Sequence, residues 1–181
     1  AEDCQAEGVR YVEVRFAPQL HVRPGFEVPD VVRAVDRGLR RAAKAFNARP
    51  EVTGGKAPPF AAGILLCAMR FFSPEFSQGF RRFFDAMPEA SEREIHSAAS
   101  LELARAAARL KNEEGLLVVG IDLAGQEKGY PAEDHRKAYQ VAHEAFEAPR
   151  HQAVGRHDAQ QGSLLGPDYS SEAIEQALVE A

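Results

Sequence analysis

Residues Val9–Ala17 read VRYVEVRFA. Tyr11, Glu13 and Arg15 fall on one side of this stretch, and Val12, Val14 and Phe16 on the other. A strict period of two is the mark of a β-strand. Pro18 ends it, because proline cannot donate to a strand ladder. Two more stretches extend the pattern. Phe60–Met69 is short and almost continuously apolar, with Arg70 at its end. Leu116–Leu123 (LLVVGIDL) is apolar except for Asp122, and Gly125 follows closely. Strands apolar on both faces suit a parallel sheet covered by helices.

The segments between the strands read mainly as helices. Asp30 is placed to cap a long amphipathic helix to about Ala45, with Val31, Val32, Val35 and Leu39 on its apolar stripe. Asn47–Pro59 is rich in Gly and Pro and reads as a loop. Pro74–Met87 reads as a helix, and Ser91 or Ser97 starts another that runs to about Lys111. Glu133–Ala148 is a further helix, with Ala138, Val141, Ala142, Ala145 and Phe146 on one side. Ala1–Gly8 (AEDCQAEG) reads as the end of a helix stopped by Gly8, so an N-terminal part is expected to precede it. The alternation of strands and helices fits either a doubly wound sheet or a barrel. No GxGxxG or GxxxxGK loop follows a strand, which counts against a nucleotide-binding Rossmann domain.

The chain has 181 residues, enough for one core but short of the roughly 250 that a closed eightfold βα barrel takes. Its net charge of −5 disfavours nucleic acid and anionic membranes as partners. No apolar run approaches the roughly 20 residues of a membrane span. Two cysteines, Cys4 and Cys67, make neither a disulfide framework nor a zinc knuckle. A cytoplasmic setting is the default expectation. The pattern carries no signal for oligomeric state.

In α/β barrels the chemistry sits at the C-terminal ends of the strands. Those positions hold Arg15, Arg70 and Asp122. Each arginine is either a ligand contact or a rim residue pairing with a nearby carboxylate. Glu13, inside a strand, is expected in a structural ion pair rather than in catalysis. Asp122 and Gly125 are the sharpest local feature. An aspartate in an apolar strand needs hydrogen bonds, and glycine just past the strand end lets a ligand approach the backbone. The alternative for Gly125 is a tight βα turn. His21 is expected to be solvated or packed in its loop, His96 to be an ordinary helix-start residue, and His135 and His143 to lie on the surface. No HxH, HExxH or CxxC spacing occurs, so on motifs the sequence has no complete metal centre.

Three stretches in order, YVEVRFAPQLH (Tyr11–His21), ILLCAMR (Ile64–Arg70) and VVGIDLAGQE (Val118–Glu127), resemble the second, third and fourth barrel strands of the adenosine deaminase family. The resemblance covers roughly Ala1–Phe146. It implies an α/β fold of which this chain is a partial (β/α)8 TIM barrel, about strands 2 to 4 plus an irregular tail. It also implies zinc-dependent hydrolytic deamination of a purine nucleoside, adenosine to inosine. In that chemistry a metal-bound hydroxide attacks the purine C6 while a glutamate and an aspartate do acid–base work. By the resemblance, Gly125 offers its backbone to the purine ring and Asp122 supports the strand end.

The departures define the remaining expectations. The family's HxH pair would lie before Ala1, and its His-Ala-Gly-Glu strand should follow Phe146. The sequence there reads EAPRHQAVGRHDAQQGSLLGPDYSS, with few apolar residues and no period. His157 is the nearest stand-in for the zinc histidine, and Ser171–Val179 recovers a helical pattern. Two regions are therefore expected: a deaminase-like barrel segment, 1–148, and a divergent tail, 149–181, which a shifted reading frame over Glu147–Gly166 would explain in part. By itself the chain is expected to be an inactive fragment. The alternatives are a deaminase of adenine or another 6-aminopurine, and a non-catalytic barrel remnant or interaction module.

Overall fold

The computed structural model describes residues 1–147. Three strands form one open parallel sheet in the order β1 (Tyr11–Phe16), β2 (Ala61–Met69) and β3 (Val118–Ala124). Tyr11 pairs with Ala61 and Phe16 with Leu66. Leu65 pairs with Gly120 and Cys67 with Asp122. All three strands therefore point their C-terminal ends the same way, with β2 in the centre. The expected parallel α/β sheet is present as three strands with open edges.

The connections are helical and cover one face. Short α1 (Glu2–Ala6) ends before Gly8, as the sequence implied. A 3-10 turn, Pro18–His21, leads from β1 toward α2 (Val28–Asn47). The turn of helix α3 (Pro50–Thr53) precedes β2, α4 (Gln78–Ala86) and α5 (Glu92–Asn112) lie between β2 and β3, and α6 (Arg136–Glu147) follows β3. The even-numbered side of β2, Ile64, Leu66 and Ala68, packs with Val118 and Leu123 of β3 against Val32 and Leu39 of α2 and Leu103, Ala107 and Leu110 of α5. A second apolar group, Phe72, Phe80, Ile95 and Ala99, closes the space between α4 and α5. Phe72 and Phe80 stack there with ring centroids 4.0 Å apart.

The opposite face is uncovered. Tyr11 is 55% exposed and Val119 42%. The register shift between Ile64 and Leu65 leaves Val119 over Gly63. A Cβ on Gly63 would meet both Val119 methyls at 2.9 Å and the Tyr11 hydroxyl at 3.3 Å. Glycine is needed here by close approach, not by backbone angle.

Several helix boundaries differ from the sequence reading. Asp30 does not cap α2; Glu27 does, and Asp30 is the third helical residue of a capping box, accepting from the Glu27 N–H at 3.0 Å. Pro29, which reads as loop, fits the first helical turn because its missing N–H is not needed there. The expected loop Asn47–Pro59 contains α3. The helix expected from Pro74 starts at Gln78, where the Ser77 hydroxyl accepts from the Phe80 N–H at 3.1 Å. Ser91, rather than Ser97, caps α5 through a Ser91–Glu94 capping box. The helix expected from Glu133 begins as a 3-10 turn, Ala132–His135. His151, His157 and the helical pattern at Ser171–Val179 lie outside the described residues.

Candidate functional site

The C-terminal rim of the sheet collects Arg15, Arg70, Asp122 and Gly125. Alternation puts Arg15, Cys67 and Asp122 on the uncovered face of three adjacent strands. Strand spacing separates β1 from β3 by about 9.6 Å. The long Arg15 side chain crosses β2 and donates from Nε to Asp122 Oδ2. Asp122 Oδ1 accepts the Leu123 N–H at 2.7 Å. The aspartate that interrupts an apolar strand is thus hydrogen-bonded, although its side chain is 39% exposed and burial does not demand it. The Asp122 hydrogen bond holds the Arg15 guanidinium more firmly protonated than usual. Burial pushes the Cys67 thiol above its ordinary value, opposed by the nearby Arg15 charge. Tyr139 of α6 is pushed up to about 12, first by burial and then by the Asp122 charge.

Arg70 is the second rim arginine. Its Nη2 donates to Glu127 Oε1 at 3.1 Å and its Nη1 to the Tyr130 carbonyl at 3.2 Å. Both arginines therefore pair with nearby carboxylates, the rim arrangement weighed from the sequence. Gly125 follows β3 with φ +113°, in the region that favours glycine. It is exposed, and among the described residues no protein acceptor takes its N–H. A Cβ there would lie 3.7 Å from the Arg70 nitrogen, in ordinary contact. The backbone angle, not crowding, selects glycine at this position.

Three expectations are corrected. Glu13 makes no interior ion pair; it is exposed and accepts from the Tyr11 hydroxyl at 2.6 Å. On the uncovered face it stays in water, so no cation is needed to offset burial. His135 is not a surface residue but 1% exposed, with Nδ1 2.9 Å from Ser100 Oγ. Burial lowers its pKa to about 4. His96 is equally buried, with Nε2 3.0 Å from the Phe72 carbonyl. Both were legible by spacing: His96 precedes Ala99 and Leu103 by three and seven residues, and His135 precedes Ala138 and Ala142 likewise, each on the stripe that packs inward. His21 is exposed, with its ring 6.3 Å from Phe16, as loop packing predicts, and His143 is exposed on α6.

Among the described residues, no three His, Cys, Asp or Glu side chains are grouped to hold a metal ion. The rim donors fit one poorly. Asp122 is committed to Arg15 and the Leu123 N–H, and burial keeps the Cys67 thiol protonated. The described residues do not fit a zinc centre. His157, expected as a metal ligand, lies outside them. No helix among them is long and apolar enough to cross a membrane.

The family model described as "Adenosine deaminase" matches residues 1–180. Its match runs beyond Phe146, farther than the three strand motifs reach. Adenosine deaminase 1 of Streptomyces coelicolor is 34% identical over 140 residues, covering 77% of this chain and 26% of that protein. Adenosine deaminase of Mycobacterium marinum is 32% identical over 139 residues, covering 77% of this chain and 29% of that protein. The enzyme of Streptococcus mutans is 31% identical over 134 residues, covering 74% and 28% respectively. The chain thus spans less than a third of the length of these relatives.

Proposed function

The chain belongs to the adenosine deaminase family, and on that premise we propose that it carries the purine-facing part of a hydrolytic nucleoside deaminase. The observation that carries this reading is Gly125. Its N–H is exposed and unclaimed by any described acceptor, at the C-terminal end of a parallel sheet where barrel enzymes bind ligands. An unpaired N–H beside a positive-φ turn is a ready donor for a ring nitrogen. Asp122 is proposed to hold the strand end in place through Arg15 and the Leu123 N–H, and not to touch substrate.

Zinc is the proposed cofactor of the complete activity, although the described residues supply no cluster of ligands for it. His157 is the proposed metal residue of this chain. The polypeptide alone is proposed to be inactive, with adenosine as its ligand and a cytoplasmic setting. Two regions are proposed, 1–148 as the barrel segment and 149–181 as a divergent tail that is read in a shifted frame only in part, before the recovery near Gly166. Translating the gene across Glu147–Gly166 in the other two frames tests that idea, which fails if neither encodes a His-Ala-Gly-Glu-like strand.

A non-catalytic barrel remnant is the second reading. Equilibrium dialysis with zinc, followed by an assay for inosine, tests the inactivity. The proposal expects no inosine above the buffer control with zinc present. Stoichiometric zinc with adenosine turnover would overturn it.

A further inference from the structure

The structure assigns Arg70 as the positioning residue that sets where the Gly125 backbone stands, by fastening both ends of the 125–130 loop. This rests on the reading of Gly125 as the purine contact. At the near end, the Arg70 N–H donates to the Ala124 carbonyl at 2.7 Å, one residue before Gly125. At the far end, its guanidinium donates to the Tyr130 carbonyl at 3.2 Å and to Glu127 at 3.1 Å. One residue thus ties the strand end, the loop middle and the loop exit.

The three ties are not equal. The Arg70 side chain is 14% exposed and Glu127 78%, so the ion pair works largely in water. The bond to the Tyr130 carbonyl is the shielded one. Tyr130 is further held by the Phe71 ring, with centroids 4.9 Å apart. Two glycines of positive φ, Gly125 and Gly129, give the loop its freedom, and among the described residues no other hydrogen bond spans it from the sheet. A lysine keeps the charge but loses the planar fork that reaches carbonyl and carboxylate together.

The test uses the full chain and its Arg70→Lys variant. Amide exchange is read at Tyr130, whose N–H donates to the Glu127 carbonyl at 2.9 Å, and at Leu66 in the core of β2 as the fold control. Arg70→Lys is expected to speed Tyr130 exchange about tenfold, the size expected for losing a charge-assisted hydrogen bond, with Leu66 unchanged. Adenosine binding, followed at the Gly125 amide by NMR, is expected to weaken about tenfold in parallel. Glu127→Gln, at an exposed position that leaves folding untouched, is expected to speed Tyr130 exchange about twofold. Unchanged Tyr130 exchange in both variants overturns the assignment, whatever adenosine does. Faster Tyr130 exchange in a chain that never binds adenosine upholds Arg70 as the loop's fastener and overturns the purine reading of Gly125 instead.

Discussion

Arg15 of β1 and Asp122 of β3 form an ion pair that crosses the central strand. Their side chains are 48% and 39% exposed, so solvent screens the attraction. Asp122 has a second task, accepting the Leu123 N–H, which Arg15 does not share. Arg15→Ala is therefore expected to cost under about 1 kcal/mol and Asp122→Ala about 1–2 kcal/mol. Urea denaturation midpoints give both values. A larger loss for Arg15→Ala than for Asp122→Ala would refute this ranking.

Asp36 of α2 is buried, and its carboxylate accepts the Leu117 N–H at 2.8 Å and the Arg40 Nε–H at 2.7 Å. It ties the helix layer to the entrance of β3. Asp36→Ala leaves the Leu117 donor without that acceptor and is expected to cost about 1–3 kcal/mol. Asp36→Asn, which retains an acceptor oxygen, should lose less. Equal losses in the two variants, measured by urea unfolding, would show that the hydrogen bond to β3 is not what matters.

His135 makes stability depend on pH. Its folded pKa is lowered to about 4 by burial, while the unfolded chain titrates near 6.5. Between those values the unfolded state binds the extra proton, so stability is full above about pH 6.5 and falls as pH drops toward 4. The loss reaches about 2–3 kcal/mol at the lower end. Asp134 on its own turn, His96 of α5 and Arg70 beyond β2 are the titratable and charged neighbours that act on it. The comparison to make is the denaturation midpoint from pH 5 to 7 for the native chain and His135→Phe. The variant should show the shallower fall, and identical slopes would sink the claim.

Gly63 is tight rather than strained. Gly63→Ala drives a methyl into Val119 and toward Tyr11 and is expected to cost about 1–3 kcal/mol. Val119→Ala should restore most of that loss, since it removes the two methyls in the way. A double-mutant cycle by thermal unfolding measures the coupling, and purely additive effects would contradict the close approach.

The sheet was legible because its signals are local. The alternation at Tyr11–Phe16 and the apolar runs at Phe60–Met69 and Leu116–Leu123 place all three strands within two residues of their bounds. The start of α5 is narrowed only to Ser91 or Ser97 by the sequence pattern, and the Ser91–Glu94 capping box of the structure decides for Ser91. The misreadings have different causes. Glu13 is expected inside a barrel, whereas its side of this sheet is uncovered and its partner is the nearby Tyr11. His96 and His135 stand on inward stripes that the spacing to Ala99 and Leu103 and to Ala138 and Ala142 marks, although the residue type alone does not say which helix face is covered. Asp36 escaped notice for the same reason, although it sits on the apolar stripe between Val32 and Leu39.

The central claim, that this chain presents a purine-binding rim, is tested most directly by titrating adenosine into glycine-labelled protein and following the Gly125 amide by NMR. The account predicts a saturable shift at Gly125, with Gly38 of α2 and Gly54 just after α3 unmoved and no inosine formed. An unmoved Gly125 amide, or shifts spread evenly over all the glycines, would contradict it.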